Sequence, residues 1–153
     1  MAFDTISEFA AALERAGELA RIAQPVAAKL ELSEIADRVM KQPGGGAALL
    51  FEHVILDDGT RSRYPVAINL FGSLRRMAMA LGVDDLDSIG GRITHLLDLQ
   101  VPQGLLAKLA LLPRLLEIAK FPPRIRGGRP LCQERVWRDS EVELGRLPII
   151  TCW

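Results

Sequence analysis

Cysteine, aromatic residues and net charge are all scarce in this 153-residue sequence. The only two cysteines, Cys132 and Cys152, form no Cys-x-x-Cys pair and have no histidine nearby. That pattern argues against a disulfide framework and a structural zinc site. The formal net charge is zero and 49% of the residues are hydrophobic, which is typical of a globular domain rather than a disordered chain. Residues 1–4 do not begin a signal peptide, so we expect a cytoplasmic protein.

A long uninterrupted hydrophobic run is also missing. The best candidate, residues 104–121, contains four charged residues and a proline, whereas a membrane span needs about 20 mostly apolar residues. We therefore predict no transmembrane segment. The leucine-rich part, 105–121, is expected to form a helix that kinks or breaks at Pro113 and packs against a core or another subunit. Contact with a membrane or a lipid-like substrate is the alternative.

Charge is unevenly distributed along the chain. Residues 1–60 contain five Lys/Arg and ten Asp/Glu, whereas residues 61–138 contain thirteen Lys/Arg and six Asp/Glu. This asymmetry indicates two surfaces that meet each other or a partner, or two solvated surfaces of opposite sign. The stretch 114–138 is the most basic, but aromatic residues make up only 5% of the chain. Because few rings are available to stack on bases, we predict a cofactor or subunit contact, or a solvated loop, and no nucleic-acid partner.

The pattern of apolar residues and turn signals predicts a mixed α/β fold. Thr5 or Ser7 caps the first helix, with Glu8 placed as in a capping box, and Gly17 ends it. Ser33 is a candidate N-cap of the second helix, whose inward face includes Met40. In chain order the predicted elements are a helix up to Ala16, a strand over 18–22 that ends by Pro25, a helix over 32–42, strands over 47–54 and 65–71, helices over 74–81, 85–99 and 105–121, a strand over 132–137 and an extended segment over 147–153.

Two glycine-containing segments are candidates for binding an anion. Residues 44–46 follow a helix and open a strand, which is the reverse of a phosphate loop, so we interpret them as a flexible connection. Residues 72–76 follow a strand and open a helix, which makes Ser73, Arg75 and Arg76 candidate anion ligands. An ordinary serine cap with solvated arginines is the alternative.

His53, His95, Glu117 and Glu134 are the remaining candidates for chemistry. Neither histidine has a carboxylate, cysteine or serine at a spacing that suggests a proton relay or a metal set. No second carboxylate is paired with either glutamate. We therefore predict structural or solvated roles for all four, and we assign no catalytic or metal-binding residue to this chain.

Several short blocks, taken together in order, resemble the UbiD family of decarboxylases. Each block alone is unspecific, but their order and spacing extend over nearly all of the chain, which corresponds to the first part of a family member. The blocks are Gly17-Glu18-Leu19-Ala20-Arg21-Ile22, residues 32–38, 48–52 and 65–73, Arg76, residues 79–82, Cys132-Gln133-Glu134 and residues 147–153.

The resemblance implies that the parent protein is a carboxy-lyase that removes CO₂ from aromatic or α,β-unsaturated acids. Quinone-pathway members act on a polyprenyl 4-hydroxybenzoate in ubiquinone biosynthesis. The family uses prenylated FMN, supplied by a flavin prenyltransferase, together with Mn²⁺ and K⁺. The cofactor acts as an electron sink, and a glutamate later in the chain than Glu134 supplies the proton. Members assemble as dimers or hexamers.

The resemblance also implies a domain boundary. We expect a small N-terminal α/β domain over 1–122, and over 123–153 a linker with the first strands of an incomplete split β-barrel cofactor domain. In the family, Thr-Cys-Trp is followed by Pro-x-Asp and then by the strands that carry the metal, flavin and catalytic residues. We therefore expect a fragment that binds no cofactor by itself and is inactive alone. The rival hypotheses are a non-catalytic assembly module and a small anion-binding protein that uses residues 72–76.

Overall fold

The computed structural model describes residues 3–97, 116, 127–130 and 133–152. These residues form a mixed α/β fold, which confirms the predicted fold class. In chain order the elements are α1 (Ile6–Arg15), β1 (Leu19–Ala27), α2 (Glu31–Met40), β2 (Ala48–Ile55), β3 (Val66–Ile68), α3 (Leu74–Leu81) and α4 (Asp87–Leu97), with short 3₁₀ turns at Pro43–Gly45, Asp139–Glu141 and Leu144–Arg146. Within the described ranges, none of the helices is long and apolar enough to cross a membrane.

The sheet has three strands in the order β1-β2-β3. Strand β1 pairs in parallel with β2, and β3 pairs antiparallel to β2. A parallel pair needs a crossover connection, and α2 provides it. Side chains at neighbouring strand positions point to opposite faces of the sheet. The adjacent residues Ala48 and Leu49 accordingly enter two different hydrophobic clusters.

The two clusters place helices on both faces of the sheet. The larger cluster joins α2 to β1, β2 and β3, and the smaller one joins α1 to β2 and to the chain after β3. The larger contains Val26, Ala28, Leu32, Ala36, Leu49, Phe51, Val54 and Val66, and the smaller contains Phe9, Leu13, Ala48 and Leu70. Met79 and Ala80 of α3 pack against the smaller cluster.

Helices α1 and α3 begin and end where their sequences predict. Thr5 caps α1 by accepting a hydrogen bond from the Glu8 N–H, and Ser73 caps α3 by accepting one from the Arg76 N–H. Gly17 follows α1 and Gly82 follows α3, both with positive φ. Glycine adopts this left-handed conformation with little strain, which makes it a common helix end.

Strand β1 is longer than predicted, because it continues through Pro25 to Ala27. Its register with β2 shifts between Ile22 and Pro25, so β1 carries an extra residue there. Proline lacks an N–H and is tolerated on edge strands and at bulges, and β1 is at the edge of this sheet. The expectation that Pro25 ends the strand was therefore wrong.

Helix α2 also differs from the prediction at both ends. Leu30 occupies the N-cap position with φ of 66° and no side-chain cap. Ser33 lies inside the helix, is buried, and donates a hydrogen bond to the Leu30 carbonyl, so it is not the N-cap. Met40 is 47% exposed rather than inward-facing. Met40 therefore lies outside the stripe of side chains that α2 buries against the sheet.

The C-terminal segment is mostly exposed but contacts the domain near its end. Residues 133–137 form no strand, so the predicted strand over 132–137 was wrong for the part that is described. A strand forms only with a partner to pair with. Among residues 133–152, Thr151 makes an isolated bridge to Lys29. Ile150 packs against the larger cluster. The predicted 105–121 helix lies outside the described residues, apart from Leu116.

Arg21 connects α1 to the sheet. Its guanidinium bonds Glu14 of α1 at 2.6 Å and Glu52 of β2 at 2.7 Å. The hydrogen bond from Arg21 is the main cause that lowers the pKa of Glu14, and the same pair raises the pKa of Arg21. The charged forms of both groups are therefore favoured in the folded chain.

Replacing Arg21 with Gln should reduce stability at neutral pH more than at acidic pH. Because the pKa of Glu14 is lower in the folded chain, its contribution is present above the unfolded pKa and is lost as pH falls through the folded pKa. The difference in unfolding free energy between wild type and Arg21→Gln, measured by urea unfolding, should therefore shrink below about pH 4. Arg15→Gln is the control. An Arg21→Gln difference that stays constant to about pH 3 would contradict this.

Candidate functional site

A cleft of about 360 Å³ lies where the start of β1, the turn before β2 and the start of α3 meet. Three separate segments of sequence therefore contribute to one site. It is lined by Gly17, Glu18, Pro43, Gly44, Gly46, Ala47, Ser73, Arg75 and Arg76. Ser73, Arg75 and Arg76, the three anion ligands that the sequence suggests, are all present in this lining.

Arg76 is the most deeply buried of the three, with only 1% of its surface exposed. It donates hydrogen bonds from its guanidinium to the Gly46 carbonyl at 2.7 Å, to the Gly45 carbonyl at 3.4 Å and to Glu18 at 3.2 Å. Its Nε is buried and has no hydrogen-bond partner among the residues that the structure describes. Backbone carbonyls and one carboxylate thus take the place of water around a buried charge.

Glu18 is shared between the two arginines. One of its carboxylate oxygens contacts Arg76 and the other contacts Arg75 at 3.0 Å. The Glu18 side chain is 18% exposed and the Arg75 side chain is 66% exposed. Arg75 is therefore a surface partner of Glu18, whereas Arg76 is the buried one.

The anion that the start of α3 attracts is supplied by the chain itself. Arginines in the first turn of a helix oppose the helix dipole unless an anion is close by. The Glu18 carboxylate provides that negative charge. It also joins the acidic part of the sequence to the basic part. An external anion would have to compete with Glu18 for these guanidinium groups, and such binding stays a prediction.

Glycine at position 45 permits a close backbone contact between the turn before β2 and the turn before α3. A Cβ on Gly45 would lie 1.8 Å from the Gly72 carbonyl oxygen, and Gly45 has φ of 84°. Both the space and the backbone conformation therefore require glycine at this position. Residues 44–46 do connect α2 to β2, and Gly45 is packed tightly against the turn before α3.

Asn69, which lies shortly before α3, also bonds the turn before β2. Its side-chain amide donates to the carbonyl oxygens of Gly45 at 2.7 Å and Ala47 at 2.9 Å. Its backbone has φ of 59°, a left-handed conformation that asparagine tolerates better than most residues. Asn69 and Arg76 together satisfy three carbonyl groups of the turn before β2, which would otherwise be costly to bury.

The other predicted site residues do not join this cleft. His53 is half-buried on β2, where it lies in register with Pro25 of β1, and His95 is exposed on α4. Glu134 and Cys152 are exposed. Glu117 and Cys132 lie outside the described residues. Over the described ranges, no three His, Cys, Asp or Glu side chains come together as a metal site. The described residues therefore do not fit a Mn²⁺ site.

Comparison with known protein families identifies most of the described fold as one known domain. Residues 10–93 match the model of the 3-octaprenyl-4-hydroxybenzoate carboxy-lyase N-terminal domain. The match covers more than half of the chain. The chain belongs to this family, the UbiD carboxy-lyases. The resemblance that the sequence blocks suggest is thereby confirmed for the N-terminal portion.

The matched UbiD region contains the whole cleft. It begins within α1 and ends within α4, so it includes the three strands and every residue that bonds Arg76. The Arg76 contacts are thus part of the family's N-terminal domain as it folds in this chain.

Sequence reasoning identified the arginines of this UbiD domain but missed their partners. Glu18 lies 58 residues before Arg76, and no local spacing connects them. Gly45 and Gly46 contribute backbone carbonyl oxygens, which the side-chain pattern does not reveal. The only signal was the charge asymmetry, for which a meeting of the acidic and basic parts was one of the interpretations, and it did not show which residues meet.

Replacing Arg76 with Met should destabilise the domain by about 3 kcal/mol or more, because it leaves buried carbonyl groups and part of the Glu18 carboxylate without a partner. The matched control is Arg75→Met, which removes a neighbouring guanidinium that is mostly exposed. Its cost should be within about 1 kcal/mol. Thermal and urea unfolding of both variants would measure the difference. Equal destabilisation by the two substitutions would show that Arg76 has no special role.

Proposed function

We propose that this chain forms the N-terminal domain of a prenylated-FMN-dependent decarboxylase of aromatic or α,β-unsaturated acids. The single observation that carries the proposal is the family match over residues 10–93, which coincides with the packed sheet and its helices. Family membership implies the carboxy-lyase class for the parent protein. The cofactor, the acid and any role in ubiquinone biosynthesis are part of the proposal.

In this proposal the domain has a structural role and is inactive alone. The bonding of its most buried charge supports this view. Arg76 bonds Glu18 and the turn before β2, so it joins three segments of the fold. A side chain held by such contacts stabilises a scaffold, whereas a catalytic group must reach the reacting atoms.

The proposal extends to residues 123–153, which would lead into the domain that binds prenylated FMN, Mn²⁺ and K⁺. Thr151 bonds the backbone of both Ala28 and Leu30. This contact attaches the end of the segment 123–153 to the N-terminal domain and supports the proposal that the cofactor domain follows directly after it. A flavin prenyltransferase would supply the cofactor. The boundary at residue 122 and the cytoplasmic location remain predictions from the sequence.

A chimera would test the proposed function. Residues 1–153 would replace the corresponding part of an active UbiD-family enzyme, joined at the Thr-Cys-Trp sequence, and CO₂ release would be measured with that enzyme's own substrate. We expect release by the chimera, and none by the 153-residue chain alone supplied with prenylated FMN, Mn²⁺ and K⁺. The enzyme without its N-terminal domain is the control.

Two outcomes of that experiment would contradict the proposal. CO₂ release by the chain alone would disprove its inactivity. A folded chimera that binds the flavin, as judged by its absorbance, but releases no CO₂ would show that this domain does not serve such an enzyme.

A second candidate function, an assembly module, is favoured by an exposed apolar face. On α3 the side chains of Leu74, Met77 and Leu81 are 74%, 39% and 56% exposed and follow helical spacing along one stripe. Phe71 and Ile6 are also more than half exposed. Apolar surface of this kind is typical of protein contacts, and we propose that a second copy of the chain covers it, as in a dimer or hexamer.

Light scattering would test the assembly role. The wild-type chain should form a dimer or larger oligomer, and Leu74→Glu/Leu81→Glu should shift it to monomer because charges would enter the contact. Met40→Glu, at a side chain of α2 that is also about half exposed, should leave the mass unchanged. A wild-type chain that is monomeric at all accessible concentrations would contradict this role.

A further inference from the structure

The chain makes a strained turn at Leu30, between the end of β1 and the start of α2. Leu30 has φ of 66° and ψ of −46°, and the Glu31 N–H donates across it to the Lys29 carbonyl at 2.8 Å. This is a three-residue γ-turn of the kind with positive φ, which is rare and costs free energy for a residue with a side chain. The Leu30 side chain is 46% exposed, so its own burial contributes little that would offset the strain.

The C-terminal segment bonds this turn directly. The Leu30 N–H donates to the Thr151 carbonyl at 3.0 Å, and the Thr151 N–H donates to the Ala28 carbonyl at 3.3 Å. Between these two bonds lies Lys29, which forms a parallel bridge with Thr151. Thr151 thus bonds the backbone on both sides of Lys29, including the N–H of the strained residue itself.

Ser33 connects the same turn to the first turn of α2. It is 7% exposed, and its hydroxyl proton is shared between the Leu30 carbonyl at 2.8 Å and the Thr151 carbonyl at 3.3 Å. The Leu30 carbonyl also accepts a hydrogen bond from the Glu34 N–H at 2.9 Å, which closes the first turn of α2. A rotation of the backbone at Leu30 would therefore move the acceptor of that helical bond.

The part of the C-terminal segment before residue 150 packs loosely on the domain. Leu147 and Ile149 are 38% and 58% exposed, and a cavity of about 90 Å³ remains between them and Ala28. Ile150 packs against the larger hydrophobic cluster. The docking thus depends mainly on residues 150 and 151, and a segment with so little buried apolar surface can open locally while the sheet stays folded.

These contacts give the turn two conformations that depend on Thr151. While Thr151 is docked, its bonds offset the strain of Leu30 at positive φ. Once it is undocked, the Leu30 N–H loses its acceptor, and negative φ is the lower-energy state for leucine. We propose that residues 150–151 are a latch for α2: docking holds the Leu30 turn, and undocking lets Leu30 rotate and frays the first turn of α2. The state of the C-terminal segment is thereby transmitted to a helix that packs on the sheet.

Amide hydrogen exchange of the 153-residue chain, followed by NMR, would test the latch. Thr151→Pro removes the N–H that bonds Ala28 and should undock the segment. We expect the protection of the Glu34 amide to fall by about tenfold or more, because the Leu30 carbonyl no longer accepts from it. Thr151→Val is the matched control: it keeps both backbone bonds, so the Glu34 amide should be as protected as in the wild type.

Leu30→Gly distinguishes the latch from a simple loss of contacts. Glycine adopts positive φ with little strain, so in this variant the turn should persist after the segment undocks. Adding Thr151→Pro to Leu30→Gly should therefore lower the protection of the Glu34 amide by no more than about threefold. The NOE between the amide proton and Hα of residue 30 reports φ directly. It should be strong in the wild type and in Thr151→Val, and weak in Thr151→Pro.

Two results would overturn the proposal. The Glu31 carboxylate accepts from the Ala27 N–H at 2.7 Å, and if such local bonds hold the turn by themselves, Thr151→Pro will leave the Glu34 amide as protected as in the wild type. An equal loss of Glu34 protection with and without Leu30→Gly would show that the strained φ has no part in the effect. Protected amides in β2 would verify that each variant is folded. The exchange measurement requires no CO₂ release, so its outcome is independent of the chimera experiment.

Discussion

The contact of Arg76 with Glu18 and with the carbonyl groups of Gly45 and Gly46 is the interaction on which the described fold depends most. A guanidinium that is 1% exposed has lost its water, and only close partners offset that cost. Those partners come from the start of β1 and from the turn before β2. Arg76 therefore holds the first turn of α3 against the edge where the parallel pair of strands begins.

The same contact explains why this UbiD domain has glycine at the two turns that meet there. The Gly72 carbonyl lies where a side chain on Gly45 would be, and the close approach brings the turn carbonyls within reach of Arg76 and Asn69. A glycine run that resembles a ligand-binding loop is thus used for packing. Its carbonyl oxygens, which accept hydrogen bonds, suit a guanidinium and an amide rather than a phosphate.

The two arginine clusters of the molecule differ in whether the chain supplies their counter-charge. At α3, Glu18 meets both arginines and the cluster is internally neutralised. Around Tyr64 and Trp137, three arginines have one described carboxylate partner, Glu143. The first cluster accordingly stabilises the domain, whereas the second keeps positive charge that no carboxylate of the described residues pairs. Sequence composition places Arg63, Arg75, Arg76 and Arg135 in the same basic stretch, residues 61–138, because a count of charges contains no distances.

The sequence by itself determined the fold class, the limits of α3 and the end of α1, because helix caps, terminal glycines and apolar periodicity act between residues that are close in the chain. The order of its short blocks indicated the family. Local rules failed where distant segments meet. β1 runs through Pro25 because it is at the sheet edge, and residues 133–137 form no strand because a strand needs a partner. Only the tertiary structure decided that Glu18 is the anion for Arg76, because that pairing spans 58 residues and arises from the fold that brings β1 beside α3.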